Sequence, residues 1–517
     1  MPDFDATRRR ALAALAAGAA LAGLARARPA RAMLLPRTDP FTLGVASGAP
    51  LPDAVVIWTR LLPAEFDSAA LPEADLAVRW EVAEDEAFAR IVGAGSTRAL
   101  AARAHAVHVD VRGLAPGRRY WYRFHAGAFT SPAGRTRTAP APDARPGALR
   151  LAYASCQHWE QGHFGAYRHL VADDCDLVLF LGDYLYETGP HAPGRARPRR
   201  HPTPALRTLA DYRARYALYK SDPALQAAHA AAPWLVLWDD HEVANDYTGD
   251  SARDGSPHFA AQRAAAYRAY FEHQPLRFAT LPPDGRARLY GALRWGDLAT
   301  FHLLDNRQYR DAHACLPTGR STAELVDIDC PELADPARSM LGAGQEAWLG
   351  QSLATSGARW NLVAQQTLVA PIEQRRRIWP DGWDGYPLAR ARLIEQLAGP
   401  AVSNPVVLGG DVHSWWVSDL TRDFRDPSAR AVATEFCGTS ITSASGLTPW
   451  MADAAVLTSP HLQWAQVDRR GYTLVDVARE RLTVRMQAVD DVARPDPQAW
   501  TMAAFVVEDG RAGAQQA

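Results

Sequence analysis

The sequence predicts an α/β layered catalytic domain preceded by a small all-β, fibronectin- or Ig-like sandwich, and three observations carry that prediction. Between residue 40 and about 140, short alternating segments such as "AVVIWTRL", "LAVRWEVA", "HAVHVDV" and "RRYWYRFHAG" are separated by turn residues, the period-2 pattern of half-buried strands. A Pro-rich stretch, "TAPAPDARPG", then reads as a linker. Beyond it, apolar strand-like runs alternate with helical stretches, as in a sheet covered by helices on both faces. At 517 residues the chain also exceeds the size at which one core usually stops growing, so two domains are the default.

The first element is not part of the fold. Residues 1–32 have a basic start at Arg8, Arg9 and Arg10, an apolar stretch from Ala11 to Ala25, and an A-x-A cleavage pattern at Ala30-Arg31-Ala32. The apolar run is too short to span a membrane. The paired arginines resemble a twin-arginine signal, with Ala11 or Leu12 where a bulky residue is expected; an ordinary secretory signal is the alternative. Residues 33–142 form the expected sandwich, where "GLAPGRRYWYRF" places Tyr120 to anchor a corner. Residues 147–500 form the expected catalytic domain. Its strands are "LRLAYAS", "DLVLFLG", "WLVLWDD", "LATFHLLD", "WNLVAQQTLV" and "PVVLGGD", and its helices include "TLADYRARYALYKSDPALQAAHAA" and "AAQRAAAYRAYFEHQ". "HAPGRARPRRHPTPALR" reads as an exposed insertion, "GYTLVDVARERLTVRMQAV" as a closing hairpin, and 501–517 as a C-terminal tail.

Composition excludes several classes of partner. Nearly half the residues are hydrophobic and 22% are charged, which indicates a globular protein able to bury a core. A formal net charge of −1 gives no electrostatic case for nucleic acid or an anionic membrane. Arginine replaces lysine almost everywhere, Lys220 being the exception, which reads as genomic bias. Export permits disulfides. Of the five cysteines, Cys315 and Cys330 flank the loop-like "LPTGRSTAELVDID" and are the best pairing candidates; that closure contributes roughly 3 kcal/mol. Cys175 and Cys437 sit beside strands and read as small buried residues. Cys156, in "YASCQHWEQG", ends a strand and is either a buried hydrophobe or a reactive or metal-binding thiolate.

Four strand ends supply metal-ligand residue types. "DLVLFLGDYLYE" delivers Asp183 and Tyr186, "WLVLWDDHEVAND" delivers Asp239, Asp240, His241 and Asn245, "PVVLGGDVHSWW" delivers Asp411 and His413, and "LRLAYASC" delivers Cys156. In layered α/β folds, ligands bind beyond strand ends, where loops converge. Each fragment alone has a bland reading: an Asp can cap a helix, a Tyr can be core, a His can join a surface ion pair. Together, so many anionic groups at corresponding positions need cations to hold them.

The block order strand-G-D, strand-D-D-H-E, strand-G-D-V-H resembles the two-metal phosphoesterases. More closely, "ASC", "GDYLYE", "WDDHEVAND", "LLDNRQYR", "WDGY" and "GGDVHS" resemble the PhoD-type alkaline phosphatases over nearly the whole mature chain. The resemblance implies a four-layer αββα domain with ferric iron and calcium. It implies that Cys156, Asp183, Tyr186 and His413 hold iron, with Asp183 bridging. Asp240, Asn245 and Asp411 would go to calcium, with Asp240 and Asn245 as alternatives for one oxygen ligand. Donor chemistry agrees, since thiolate, phenolate and imidazole suit iron, and carboxylate and amide oxygens suit calcium. The activity implied is an exported alkaline phosphatase that releases phosphate from esters through metal activation of an oxygen nucleophile. His241 is the candidate to contact the phosphate or protonate the leaving group. Arg307 is the candidate to stabilise the transferring phosphoryl charge, unless it pairs with Asp305 or Asp311. A phospholipid or teichoic-acid phosphodiesterase on the same metals is the alternative. A serine hydrolase lacks its G-x-S-x-G elbow, and a binding module leaves the ligand set unexplained. The expected partners are small phosphate esters and the twin-arginine export machinery, for a monomer in the periplasm or secreted.

Overall fold

The computed structural model describes residues 36 and 38–517, except 64–72, 193–196, 278–286, 317–318, 320–322 and 374–375. The expected signal over 1–32 lies outside them. The N-terminal strands are β1 (Val45–Gly48), β2 (Ala54–Arg60), β3 (Leu76–Ala83), β4 (Ile91–Ala99), β5 (Ala106–Arg112), β6 (Arg119–Ala126), β7 (Phe129–Thr130) and β8 (Gly134–Arg137). They form two layers, β1-β2-β5 and β4-β3-β6 with β7 and β8, packed on Val55, Ile57, Val78, Val107 and Phe124. Tyr120 anchors its corner: its buried hydroxyl accepts the Ala115 N–H at 2.9 Å.

The catalytic region opens with β9 (Ala148–Ala154), β10 (Leu177–Leu181) and β11 (Pro233–Leu237). It continues with β12 (Gly291–Trp295), β13 (Ala299–Leu303), β14 (Val326–Asp327), β15 (Trp360–Ala364), β16 (Arg377–Ile378), β17 (Pro405–Gly409), β18 (Trp415–Thr421), β19 (Ala431–Cys437) and β20 (Leu462–Gln466). It ends with β21 (Arg470–Ala478), β22 (Arg481–Val489), β23 (Ala499–Glu508) and β24 (Gln515–Gln516). One sheet has seven strands, in the order β12-β13-β15-β17-β19-β18-β20; the other has ten, β24-β23-β22-β21-β9-β10-β11-β1-β2-β5. The segment "LVLFL" of β10 shows how sequence sets these layers. Leu177, Leu179 and Leu181 point into the core between the sheets, while Val178 and Phe180 meet the helices outside. A run buried on both faces must be apolar throughout.

Helices α1 (Ala166–Ala172), α2 (Leu209–Lys220), α3 (Pro223–Ala231) and α4 (Phe259–His273) cover the outer face of the ten-stranded sheet through Tyr167, Tyr212, Leu225 and Tyr267. A capping box between Thr208 and Asp211 starts α2. Helices α5 (Gly342–Ala354), α6 (Pro387–Leu397) and α7 (Pro449–Thr458) cover the seven-stranded sheet through Leu349, Leu393 and Ala452. The order is therefore α, β, β, α, as expected. β21 and β22 form the expected hairpin.

Two boundaries differ from the sequence reading. The region 33–142 is a sandwich but not a separate sheet system, because β1 pairs in parallel with β11, with Ser47 opposite Pro233 and Gly48 opposite Trp234. Nor is 501–517 a tail. β23 pairs with β22 along its length, and Ala503, Phe505 and Val507 enter the core between the sheets. Their period-2 spacing is the strand signal that the reading passed over.

Candidate metal centre

Each candidate ligand follows the C-terminal end of a strand: Cys156 after β9, Asp183 and Tyr186 after β10, Asp240 to Asn245 after β11, and Asp411 and His413 after β17. Glycines let these loops converge. Gly182 adopts φ +107°, and a Cβ there would lie 2.4 Å from the Asp239 Cβ, so only glycine fits. Cys156 (φ 57°), Asp183 (58°), Asp411 (66°) and His413 (53°) all take left-handed backbone conformations. Such conformations are unfavourable for side-chain-bearing residues and concentrate at functional sites.

The convergence brings donor atoms within 4.8 Å of one another in three overlapping groups: Cys156, Asp183 and His413; Asp183, Asp240 and His241; and Asp239, Asp240 and Asp411. Tyr186 joins the first, its hydroxyl donating to Asp183 Oδ2 at 2.9 Å and lying 3.3 Å from His413 Nε2. Its ring packs, tilted, against both His158 and His241, with centroids 4.3 and 4.1 Å away. Asn245 lines the same cavity as Asp240 and Asp411. Its backbone N–H donates to Glu187 Oε1 at 2.8 Å, while Glu187 Oε2 holds His241 Nδ1 at 2.7 Å. Thus the structure brings together all seven expected ligands and His241.

The electrostatics test whether this set fits cations. Burial pushes the Asp183 carboxyl well above its usual range, with Asp240 and Asp239 adding to the shift. Burial also raises Asp239 to about 8 and Asp411 to about 7. The Cys156 thiol and Tyr186 phenol are driven up by burial and then by Asp183, and burial keeps His413 neutral, at about 4. Asp240 alone shifts down, because Arg307 and His241 outweigh its burial. His241 is raised because Asp240, Glu187 and Asp183 outweigh burial. Asp183 Oδ1, Asp239 Oδ2 and Asp240 Oδ1 are buried without hydrogen-bond partners. Buried carboxylate oxygens left this way are costly unless a cation satisfies them. The residues present therefore fit a metal pair.

Arg307 corrects the sequence reading. It is fully buried, and its guanidinium is used within the protein. Nη1 and Nη2 donate to the two oxygens of Asp381 at 2.8 and 2.9 Å, and Nε donates to Asp239 Oδ1 at 2.5 Å. Its fork grips a carboxylate instead of facing a phosphoryl group. Asp305, one expected ion partner, accepts the backbone N–H groups of Arg307 and Gln308 at 3.0 Å, and so shapes the loop. Asp311 accepts the N–H of Ser339. Asp381, which no local pattern marks, is contacted by Arg310 and His313 as well. Another missed residue is Glu242, whose buried carboxylate accepts the N–H groups of Asp183, Tyr184 and Asp239 at 3.1, 2.5 and 2.8 Å, tying two ligand loops together. Glu242 stood in plain view in "WDDHE"; its role has no local signal. Cys315 and Cys330 form the expected disulfide, and Cys175 and Cys437 are buried thiols.

Acidic, imidazole and thiol donors converging beyond strand ends of an αββα sandwich define a phosphatase hydrolase, and comparison with known proteins agrees. The PhoD-like phosphatase family model matches residues 151–486, and the model of that family's N-terminal domain matches 27–140. The chain is 42% identical to alkaline phosphatase D of Bacillus subtilis (strain 168) over 484 residues, 92% of this chain and 82% of that protein. A solved structure described as "Structure of PhoD" superposes with a TM-score of 0.87 at 40% identity, covering 93% of this chain and 92% of that one. The chain belongs to the PhoD-like phosphatase family.

Proposed function

We propose that the protein is an exported alkaline phosphatase that hydrolyses phosphate mono- and diesters at a ferric iron and calcium pair. The observation that carries this reading is the partition of donors. Cys156, Tyr186 and His413 gather on one side of Asp183, a thiol, phenol and imidazole set suited to iron. Asp239, Asp240 and Asp411 gather on the other, all oxygen donors suited to calcium; Asn245 lines that side of the cavity and is the further oxygen candidate. Bound there, such a pair supplies Lewis-acid polarisation and a nucleophile competent at alkaline pH.

The chain's own residues do the positioning. Glu187 holds Nδ1 of His241, which leaves Nε2 to donate a proton to the leaving-group oxygen. Arg307 holds Asp239 and Asp381, and Glu242 fixes the loops carrying Asp183 and Asp239. The cavity above the donors measures about 440 Å³, larger than a phosphoryl group, which supports room for an ester group on either side.

The leader with Arg8 and Arg9 supports export by the twin-arginine machinery to the periplasm or beyond, and the Cys315–Cys330 disulfide supports an oxidising destination. Elemental analysis of protein from its native host tests the centre: iron and calcium are expected together. Cys156→Ala is expected to lose iron and keep calcium, and Tyr186→Phe to bleach a visible phenolate-to-iron absorption. Stoichiometric iron in Cys156→Ala would refute the ligand assignment. Turnover of mono-aryl against bis-aryl phosphates decides between ester classes.

A further inference from the structure

The cavity over the metal-binding residues has a lining of two kinds. Asp183, Asp240, Asp411 and His413 belong to the donor cluster, whereas Leu325, Ile372, Trp379, Leu447 and Met451 contribute apolar surface. Those apolar walls come from unrelated parts of the chain: the disulfide-closed loop, the segment after β15, the residue following β16, and the approach to and first turn of α7. The apolar surface continues outward, since Trp379 is 41% exposed and Trp450, beside Met451, is 64% exposed. Exposed apolar side chains gathered at the mouth of a cavity mark a binding surface. Charge is equally informative. Among the described residues, no lysine or arginine lines the cavity, and Arg307 is fully buried. The hydrogen-bonding side chains of the described lining are acids, His241, His413, Asn245, Thr367 and the tryptophan indoles, with no lysine or arginine among them to recognise a second anion on the leaving group.

We propose that the outer half of this cavity is a leaving-group subsite for apolar alkyl or aryl groups, resting on the phosphatase reading above. The preferred substrates are phosphate esters of hydrophobic alcohols, turned over faster than the ester of a small polyol such as glycerol. The phosphoryl group sits among the acidic and imidazole side chains, and the carbon chain of the leaving alcohol lies along Ile372, Trp379, Leu447 and Met451. Water cleaves the P–O bond; phosphate takes the hydroxyl oxygen, and the alcohol leaves carrying one proton.

The test is kcat/KM for a series of linear alkyl phosphates, from butyl to octyl and below their aggregation range, against glycerol phosphate, with iron- and calcium-loaded protein. Each methylene reaching the wall is expected to raise kcat/KM about fourfold, the value of one buried CH₂. Trp379→Ala and Met451→Gln, at unchanged metal content, are expected to flatten that slope and lower the octyl-to-glycerol ratio at least tenfold. A flat series in the unaltered protein, with glycerol phosphate turned over as fast as octyl phosphate, would overturn the subsite while leaving the phosphatase reading intact. Loaded protein that hydrolyses none of these esters overturns both.

Discussion

Cys156, Asp183, Asp411 and His413 all hold left-handed backbone conformations, and buried polar residues fix the loops around them: Glu242 accepts the Asp183 N–H, and Arg307 holds Asp239 and Asp381. Lysine at this position keeps the charge but loses the fork that spans Asp381 and Asp239, because an ammonium is a point charge. Arg307→Lys is expected to cost about 1.5–3 kcal/mol of stability, the scale of a lost hydrogen bond to a charged group, measured by urea unfolding. Changing an arginine that clamps the transferring phosphoryl group would lower kcat with the metals still bound. Since Arg307 is buried behind the carboxylates, its loss of kcat is expected to track loss of metal, read by elemental analysis of the variant. Glu242→Gln keeps the shape but turns an NH₂ group toward backbone N–H donors. A cost of about 1–3 kcal/mol follows from the unsatisfied groups, read as a lower Tm together with weaker metal binding.

Helix α2 ends on Lys220, which is buried with its Nζ 4.3 Å from the Trp58 ring centroid and 5.2 Å from that of Tyr184. No hydrogen-bond partner reaches Nζ among the described residues, and burial lowers its pKa to about 7, against about 10.4 in an unfolded chain. Between those values the unfolded chain binds the extra proton, so this group's contribution to stability rises with pH from 7 to about 10 and is least favourable below 7. Lys220→Met is accordingly expected to raise Tm at about pH 7, with the gain fading by about pH 10; a uniform gain at both would refute the account. The loop closed by Cys315 and Cys330 is a second element with a measurable role. Its Leu325 lines the cavity, its Ala323 N–H donates to Asp246, and its strand β14 pairs with β16 next to Trp379. Replacing both cysteines by serine is expected to cost about 3 kcal/mol in unfolding free energy, the entropy of closing such a loop, and to lower kcat/KM by loosening the cavity wall.

For the whole molecule, the ten-stranded sheet takes strands from the N-terminal sandwich, β1, β2 and β5, and from the C-terminal segment, β23 and β24, into the catalytic layer. Removing residues 36–142 would strip β1 from β11 and leave a parallel edge open, and an exposed edge of this kind pairs with other chains. The truncated protein is expected to be insoluble or aggregated by size-exclusion chromatography; a stable, active monomer would show that the two parts fold independently. Ending the chain at residue 500 opens β22 and uncovers the core under Phe505, with the same expected outcome. The layered architecture was legible because β10 and β11 are short apolar runs between helical stretches. Cys156, Asp183, Tyr186, Asp411 and His413 were legible as ligand types because each follows such a run. Sequence by itself therefore determined which residue types stand at the strand ends, through local periodicity and a recognisable order of blocks. Only the tertiary structure decided that Arg307 grips Asp381 instead of facing substrate, that Glu242 ties two loops, and that β1 and β23 belong to the central sheet. Those outcomes depend on which buried charges and unpaired strand edges meet across long separations, and no local pattern encodes such a meeting.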